Sequence, residues 1–243
     1  MLKKKMHFIL LFASFFALLI FTSGCVEEVS VDEPARPTAS IRFISADADA
    51  GTTTFSVFGR FEDSTKVVAT ASVGYASASS YFTIPAGNRK VRVQTSGTVK
   101  KDTTLIVVLN SYMQQSVFLW SASPTPNVTA SYERYTYSDE AYKIDSGKGT
   151  KGAVKFINAL SDVASVNVSL DSLKGTALFT SIAFKKYGGY TNLAAGKTYV
   201  FVVHDGTKEY ARVNVPVSGN TRYSVVAFGK SSGVTLKIFT DDK

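Results

Sequence analysis

The chain has 243 residues, 45% of them hydrophobic and 12% aromatic, with 27 Lys and Arg against 19 Asp and Glu. That length suits one large or two small domains. After residue 5 the cations stand singly or in pairs, and nucleic-acid binding wants a clustered basic stripe, so nucleic acid is excluded as a partner.

The chain opens with Lys3, Lys4 and Lys5, followed by a nearly unbroken apolar run from Phe8 to Phe21. A basic start before an apolar stretch too short for the roughly 20 residues of a membrane-spanning helix has the form of a secretory signal. The run ends in Thr22-Ser23-Gly24-Cys25. This stretch resembles the bacterial lipobox, which implies that residues 1–24 are cleaved and that Cys25 is the lipidation site, carrying a covalent diacylglycerol and acyl lipid. Cys25 is the only cysteine, so no internal disulfide is available, and acylation removes what would be a free thiol in an oxidising compartment. Several acyl chains anchor firmly where one is marginal. Losing residues 1–24, with their three lysines and no acid, lowers the formal charge from +8 to about +5.

Residue 26 is Val and not Asp. By resemblance to Gram-negative sorting rules, this implies the outer membrane. Glu27, Glu28, Asp32 and Glu33 follow. They resemble the surface-export signal of Bacteroidetes lipoproteins and read equally as a solvated acidic tether, so the periplasmic and cell-surface faces both stay open. With Pro34 and Pro37, residues 25–38 are expected to be a flexible tether.

The remainder is rich in Val, Thr, Ser, Tyr and Phe, the residues that favour strands, and it repeats. Ala39–Ala46 resembles Gly152–Ala159, each an apolar strand carrying one basic residue, Arg42 or Lys155. In the same order, Val73–Tyr81 matches Ile182–Tyr190, Thr83–Gly87 matches Asn192–Gly196, Lys90–Val93 matches Tyr199–Val202, and Leu105–Val108 matches Tyr223–Val226. Val91 with Val93, Val213 with Val215, and Val234, Leu236 and Ile238 alternate with polar neighbours, the period of a sheet with one wet face. Turn residues recur about every 8–12 positions, and Asp205-Gly206 predicts a hairpin. The expected fold is all-β: two tandem immunoglobulin-like β-sandwich modules, residues 39–137 and 152–243, joined by a polar glycine-rich linker at 138–151. A strand such as Ile41-Arg-Phe-Ile-Ser-Ala, an Asp-containing turn, then Ile-Pro-Ala-Gly and an alternating strand resembles the bacterial domain of unknown function 4397. The second copy, with Val154-Lys-Phe-Ile-Asn-Ala and Ala194-Ala-Gly, resembles the same module. The resemblance implies export, often as a lipoprotein, and immunoglobulin-like sandwiches; it supplies no activity.

No set of residues assembles a reaction. His204 lies beside Asp205, but adjacent strand residues point to opposite faces, so Asp205 is badly placed to orient it for a Ser-His-Asp mechanism. Asp47, Asp49 and Asp162 lack the ladder of acids that calcium loops use; Asp49 and Asp162 are expected to bond nearby backbone N–H groups in turns. No Cys or His cluster has zinc spacing. Gly147–Gly152 lacks the order of a phosphate loop and reads as linker. Tyr132, Tyr135, Tyr137 and Tyr142 crowd the end of the first copy. Tyr135 and Tyr137 share a strand face and are the candidate ligand contacts, with core or inter-module packing as the alternative. Trp120 is expected in the core of the first module. Together these features predict a lipid-anchored, non-catalytic cell-envelope protein that needs no cofactor and no metal. Its expected partners are the membrane, through the anchor, and a surface glycan or protein. A passive spacer lipoprotein is the alternative, and an enzyme is disfavoured.

Overall fold

The computed structural model describes residues 37–59, 65–98, 100–120, 128–133 and 148–241, with 128–133 described in the backbone alone. The first half contains β1 (Thr38–Ala46), β2 (Thr53–Phe58), β3 (Val67–Val73), β4 (Ser77–Ala78), β5 (Phe82–Pro85), β6 (Gly87–Thr95), β7 (Asp102–Leu109), β8 (Gln114–Trp120) and β9 (Val128–Glu133). The second contains β10 (Lys151–Leu160), β11 (Ser165–Leu170), β12 (Ala177–Ala183), β13 (Thr191–Ala194), β14 (Lys197–His204), β15 (Glu209–Val217), β16 (Arg222–Lys230) and β17 (Gly233–Thr240). Between β1 and β2 runs a single 3-10 turn, Ala48–Ala50.

Four sheets result. In the first half, β3-β2-β6-β7 lies against a sheet in which β1 joins β4 and β5 on one side and β8-β9 on the other. In the second, β12-β11-β14-β15 lies against β13-β10-β16-β17. Apart from β4, which has no counterpart strand among the described residues of the second half, the strand orders correspond, and β1–β8 and β10–β16 are both parallel. The register corrects one detail of the repeat. Ile41 pairs with Gln115 and Val154 with Tyr223, so Tyr223–Val226 corresponds to β8, and the sequence match with Leu105–Val108 of β7 joins strands of different sheets. A second match slips by one residue. Val91 and Val93 face the first core, whereas Phe201 and Val203, not Val200 and Val202, face the second. Short apolar strands look alike one residue out of phase, and a one-residue shift exchanges their faces.

Each half has its own core. Phe43 stacks on Phe55 across the two sheets of the first, centroids 4.6 Å apart; Phe156 and Phe179 do the same in the second at 6.2 Å. The outer sheets have the expected wet face: β6 alternates buried Val91 and Val93 with exposed Lys90 and Arg92. Asp205-Gly206 turns the β14–β15 hairpin, with Gly206 at φ +106°.

The inner sheets depart from this pattern. Every residue of β8, and all but the first of β1 and β10, is buried. Ile41, Phe43, Val117 and Leu119 face the first core. The opposite face presents Ile44, Ala46, Phe118 and Trp120 to Ile157, Ala159, Val226 and Phe228 of the second half, forming a third core between the halves. Strands buried on both sides lose alternation because both sets of side chains leave water. Trp120 therefore belongs to this seam and not to the core of the first half. The seam is approximately two-fold. Tyr75 meets Phe228 edge-on at 6.1 Å and 74°, and Phe184 meets Trp120 at 6.1 Å and 77°. Tyr75 and Phe184 occupy matched positions in the repeat, and Trp120 pairs with Ala46 as Phe228 pairs with Ala159. Reciprocal contacts of this kind are those of an isologous interface.

Gly152, early in β10, leaves no room for a side chain. A Cβ there would lie 2.5 Å from the Ser218 carbonyl oxygen and 2.7 Å from Val217 Cγ1. Gly152→Ala is expected to cost about 1–3 kcal/mol by overpacking, read as a lower midpoint in urea denaturation.

Candidate functional site

The seam contains a polar cluster as well as apolar packing. Arg42 and Lys155, the one cation in each copy of the repeated strand, alternate with core-facing residues and so point into the seam, 2% and 3% exposed. Burying two cations requires an anion. Asp241, which follows β17 and is 1% exposed, provides it. Its Oδ1 accepts from Arg42 Nη2 at 2.5 Å, and its Oδ2 lies 3.9 Å from Lys155 Nζ. Tyr190 OH donates to Oδ2 at 2.6 Å, and Ser224 Oγ lies 2.7 Å from the same oxygen. Burial acts to raise the pKa of this carboxyl, but the charges of Lys155 and Arg42 and the bonds from Tyr190 and Ser224 outweigh it, holding it below the ordinary carboxylate range. Arg42 also donates from Nε to Ser116 Oγ at 2.8 Å and from Nη1 to the Thr240 carbonyl at 3.0 Å. Its guanidinium lies 4.9 Å from the centroid of the Tyr81 ring and 5.8 Å from that of Phe239. Lys155 lies over Tyr190 at 5.1 Å.

Outside this cluster the seam opens into a cleft of about 510 Å³, within the usual range for small-ligand sites. One wall is the 78–81 segment that joins β4 to β5, with Ser79, Ser80 and Tyr81; the other is the end of β17, with Ile238, Phe239 and Thr240; Arg42 lies between them.

The residues singled out from sequence fall elsewhere. Cys25, Tyr135 and Tyr137 lie outside the described residues, as does Tyr142, and of Tyr132 only the backbone is described. His204 is buried, and its Nε2 lies 2.8 Å from Ser169 Oγ. Its Nδ1 accepts the Gly206 N–H at 3.0 Å, so in the neutral ring the proton sits on Nε2 and is donated to Ser169. That is the reverse of the direction in which a general base acts on a nucleophile. Asp205 does not touch the ring. Its carboxylate accepts from the Lys208 and Thr207 N–H groups, the Thr207 hydroxyl and Tyr210 OH, and these bonds hold its pKa far below the ordinary value.

Asp47, not Asp49, makes the first turn: its Oδ1 accepts the Asp49 N–H at 3.1 Å, and its Oδ2 pairs with Lys101 at 3.0 Å. Asp162 accepts the N–H and hydroxyl of Ser231, both at 2.8 Å. It therefore ties the β16–β17 hairpin to a distant turn, and it also accepts its own main-chain N–H as the turn reading expects. Of the Gly147–Gly152 run, Gly147 lies outside the described residues, residues 148–150 precede β10, and Lys151 and Gly152 are its first two residues.

Residues 152–243 match the family model described as Domain of unknown function (DUF4397). No curated protein matches the chain. Among solved structures, it is similar to the family 26 carbohydrate-binding module CBMbc of Eubacterium rectale Amy13K in complex with maltoheptaose, at 7% identity and TM-score 0.28, covering 85% of this chain and 98% of that one. It is also similar to the tip fimbrial protein Mfa3 of Porphyromonas gingivalis, at 9% identity and TM-score 0.28, covering 85% of this chain and 100% of that one. At these TM-scores the likenesses carry no argument about function.

Proposed function

We propose that this chain is a lipid-anchored, non-catalytic protein of the bacterial cell envelope. Acyl chains on Cys25 hold it in the outer membrane, and two copies of one β-sandwich module, residues 39–137 and 152–243, present a binding surface for a glycan or a protein. The observation that supports binding is the open cleft at the seam. It is bounded by strands that a buried core and an ion cluster hold in place, and a pre-formed site loses little ordering entropy when a ligand enters. The reading as non-catalytic is supported by the direction of the His204–Ser169 hydrogen bond.

Protease treatment of intact cells, paired with fractionation of a Cys25→Ala strain, tests location and anchor. The wild-type protein is expected in the outer-membrane fraction and the variant in the soluble fraction. A variant that stays membrane-bound removes the lipid anchor from this reading. Cleavage of the wild-type protein on intact cells assigns the cell-surface face; full protection confines binding to periplasmic ligands.

A further inference from the structure

We infer that the seam cleft is a saccharide-binding site, with Phe239 and Tyr81 supplying apolar ring surface and Ser80 supplying a hydroxyl. This rests on the binding reading above and names its ligand class and place.

A sugar ring has apolar C–H faces and a rim of hydroxyls, so it fits a site in which aromatic carbon and short hydroxyl side chains alternate. The cleft has that composition. Among the described residues that line it there is no carboxylate, and Ala78 and Ile238 are the aliphatic ones. Ser79 is spent on the scaffold: its Oγ accepts the Phe43 N–H at 3.0 Å and donates to the Ser80 carbonyl at 2.8 Å. Ser80 is exposed, and its hydroxyl carries no hydrogen bond among the described residues. Arg42 is a positioning residue. Its guanidinium lies against both aromatic rings from inside the seam, so the two walls are set before a ligand arrives.

The competing ligand is an extended peptide, which would add a strand to the edge of β17 that carries no partner strand among the described residues. The Asp241 N–H bonds back to Arg222 O at 2.8 Å, so the alternate main-chain groups, those of Thr240, face away from β16. The Thr240 carbonyl already accepts from Arg42 Nη1. The main-chain acceptor nearest the cleft is therefore occupied, which favours a ligand that binds through side chains.

The test titrates the full chain, in detergent, with soluble oligosaccharides of glucan, mannan, chitin and pectin, alongside Ser80→Trp and, as a control on the outer sheet, Lys90→Trp. An indole at residue 80 fills the cleft without removing any hydrogen bond described above. At least one oligosaccharide is expected to bind, with affinity reduced about tenfold or more by Ser80→Trp and unchanged by Lys90→Trp. Saccharide binding that Ser80→Trp leaves intact overturns the cleft as the site while the binding reading survives. Absence of saccharide binding, with a displayed library of extended peptides captured in a Ser80→Trp-sensitive way, overturns the ligand class alone. Absence of both overturns this inference and the binding reading together, leaving a spacer.

Discussion

Asp241→Ala is expected to lower the free energy of unfolding by about 3–5 kcal/mol at neutral pH, the usual cost of removing one partner from a buried ion pair. The loss follows from what stays behind. Arg42 and Lys155 remain buried after their shared carboxylate is gone, and Tyr190 and Ser224 lose an acceptor. Exposed pairs such as Arg92–Asp102 and Arg212–Glu209 offer the contrast, because neutralising Asp102 or Glu209 exposes nothing that water does not already solvate. Guanidinium or urea denaturation of wild type and variant measures the difference.

The same carboxylate sets a pH dependence whose sign is determined. Its pKa in the folded protein lies below the ordinary carboxylate value, so folding favours the ionised form. The stabilisation is fully present above the unfolded-state pKa of about 3.9 and is lost as the pH falls through the folded-state value. The gap between wild type and Asp241→Ala should therefore be widest near neutrality and shrink below about pH 4. A gap that stays constant from pH 7 to pH 3 contradicts the ion cluster.

Trp120→Ala is the second large effect, at about 3–5 kcal/mol. Trp120 is 2% exposed, stacks on Phe118 at 4.6 Å, and receives Phe184 of the other half edge-on. Truncation leaves a cavity in the seam that neither flanking core can close without moving its own sheet. Trp120→Phe is expected to cost less than about 1.5 kcal/mol, because ring packing is largely retained. In addition, the indole Nε1 has no hydrogen-bond partner among the described residues, so losing it removes an unsatisfied donor. Thermal denaturation followed by circular dichroism separates the two outcomes. A Phe variant as damaged as the Ala variant would place an essential partner on the indole nitrogen.

The readable and unreadable features divide along physical lines. Strand identity and facing on the outer sheets were readable because Val91, Val93, Val213 and Val215 alternate with polar residues, and period two reports one dry face. The Asp205-Gly206 hairpin was readable because turn chemistry is local. The match of Thr83–Gly87 with Asn192–Gly196 was readable too: Ile84 and Leu193 are buried in corresponding strands, β5 and β13. The position of Tyr223–Val226 was not, since the partner of a short apolar strand is set by contacts far away in the chain. The core that holds Trp120 was unreadable for the same reason: its burial is local information, but the side that buries it is not. Two signals for the seam were present. In Ile41–Ala46 and Val154–Leu160 apolar residues fall at both odd and even positions, which marks strands dry on both faces. The recurrence of one cation at the same point in both runs marks a position that must find an anion inside the protein. That anion, Asp241, lies 199 residues from Arg42, and no spacing rule reaches that far.

By itself, then, the sequence determined an all-β chain, the alternation of its outer sheets, the local turns, and a lipid-signal-like start ending at Cys25. Only the tertiary structure decided that the inner sheets mate through a two-fold seam, that Arg42 and Lys155 share Asp241 within it, and that a cleft bounded by Tyr81 and Phe239 opens at its edge. The division arises because strand formation answers to neighbours one or two residues away, whereas the choice of which sheet face meets which is made by shape and charge brought together only after the chain has folded.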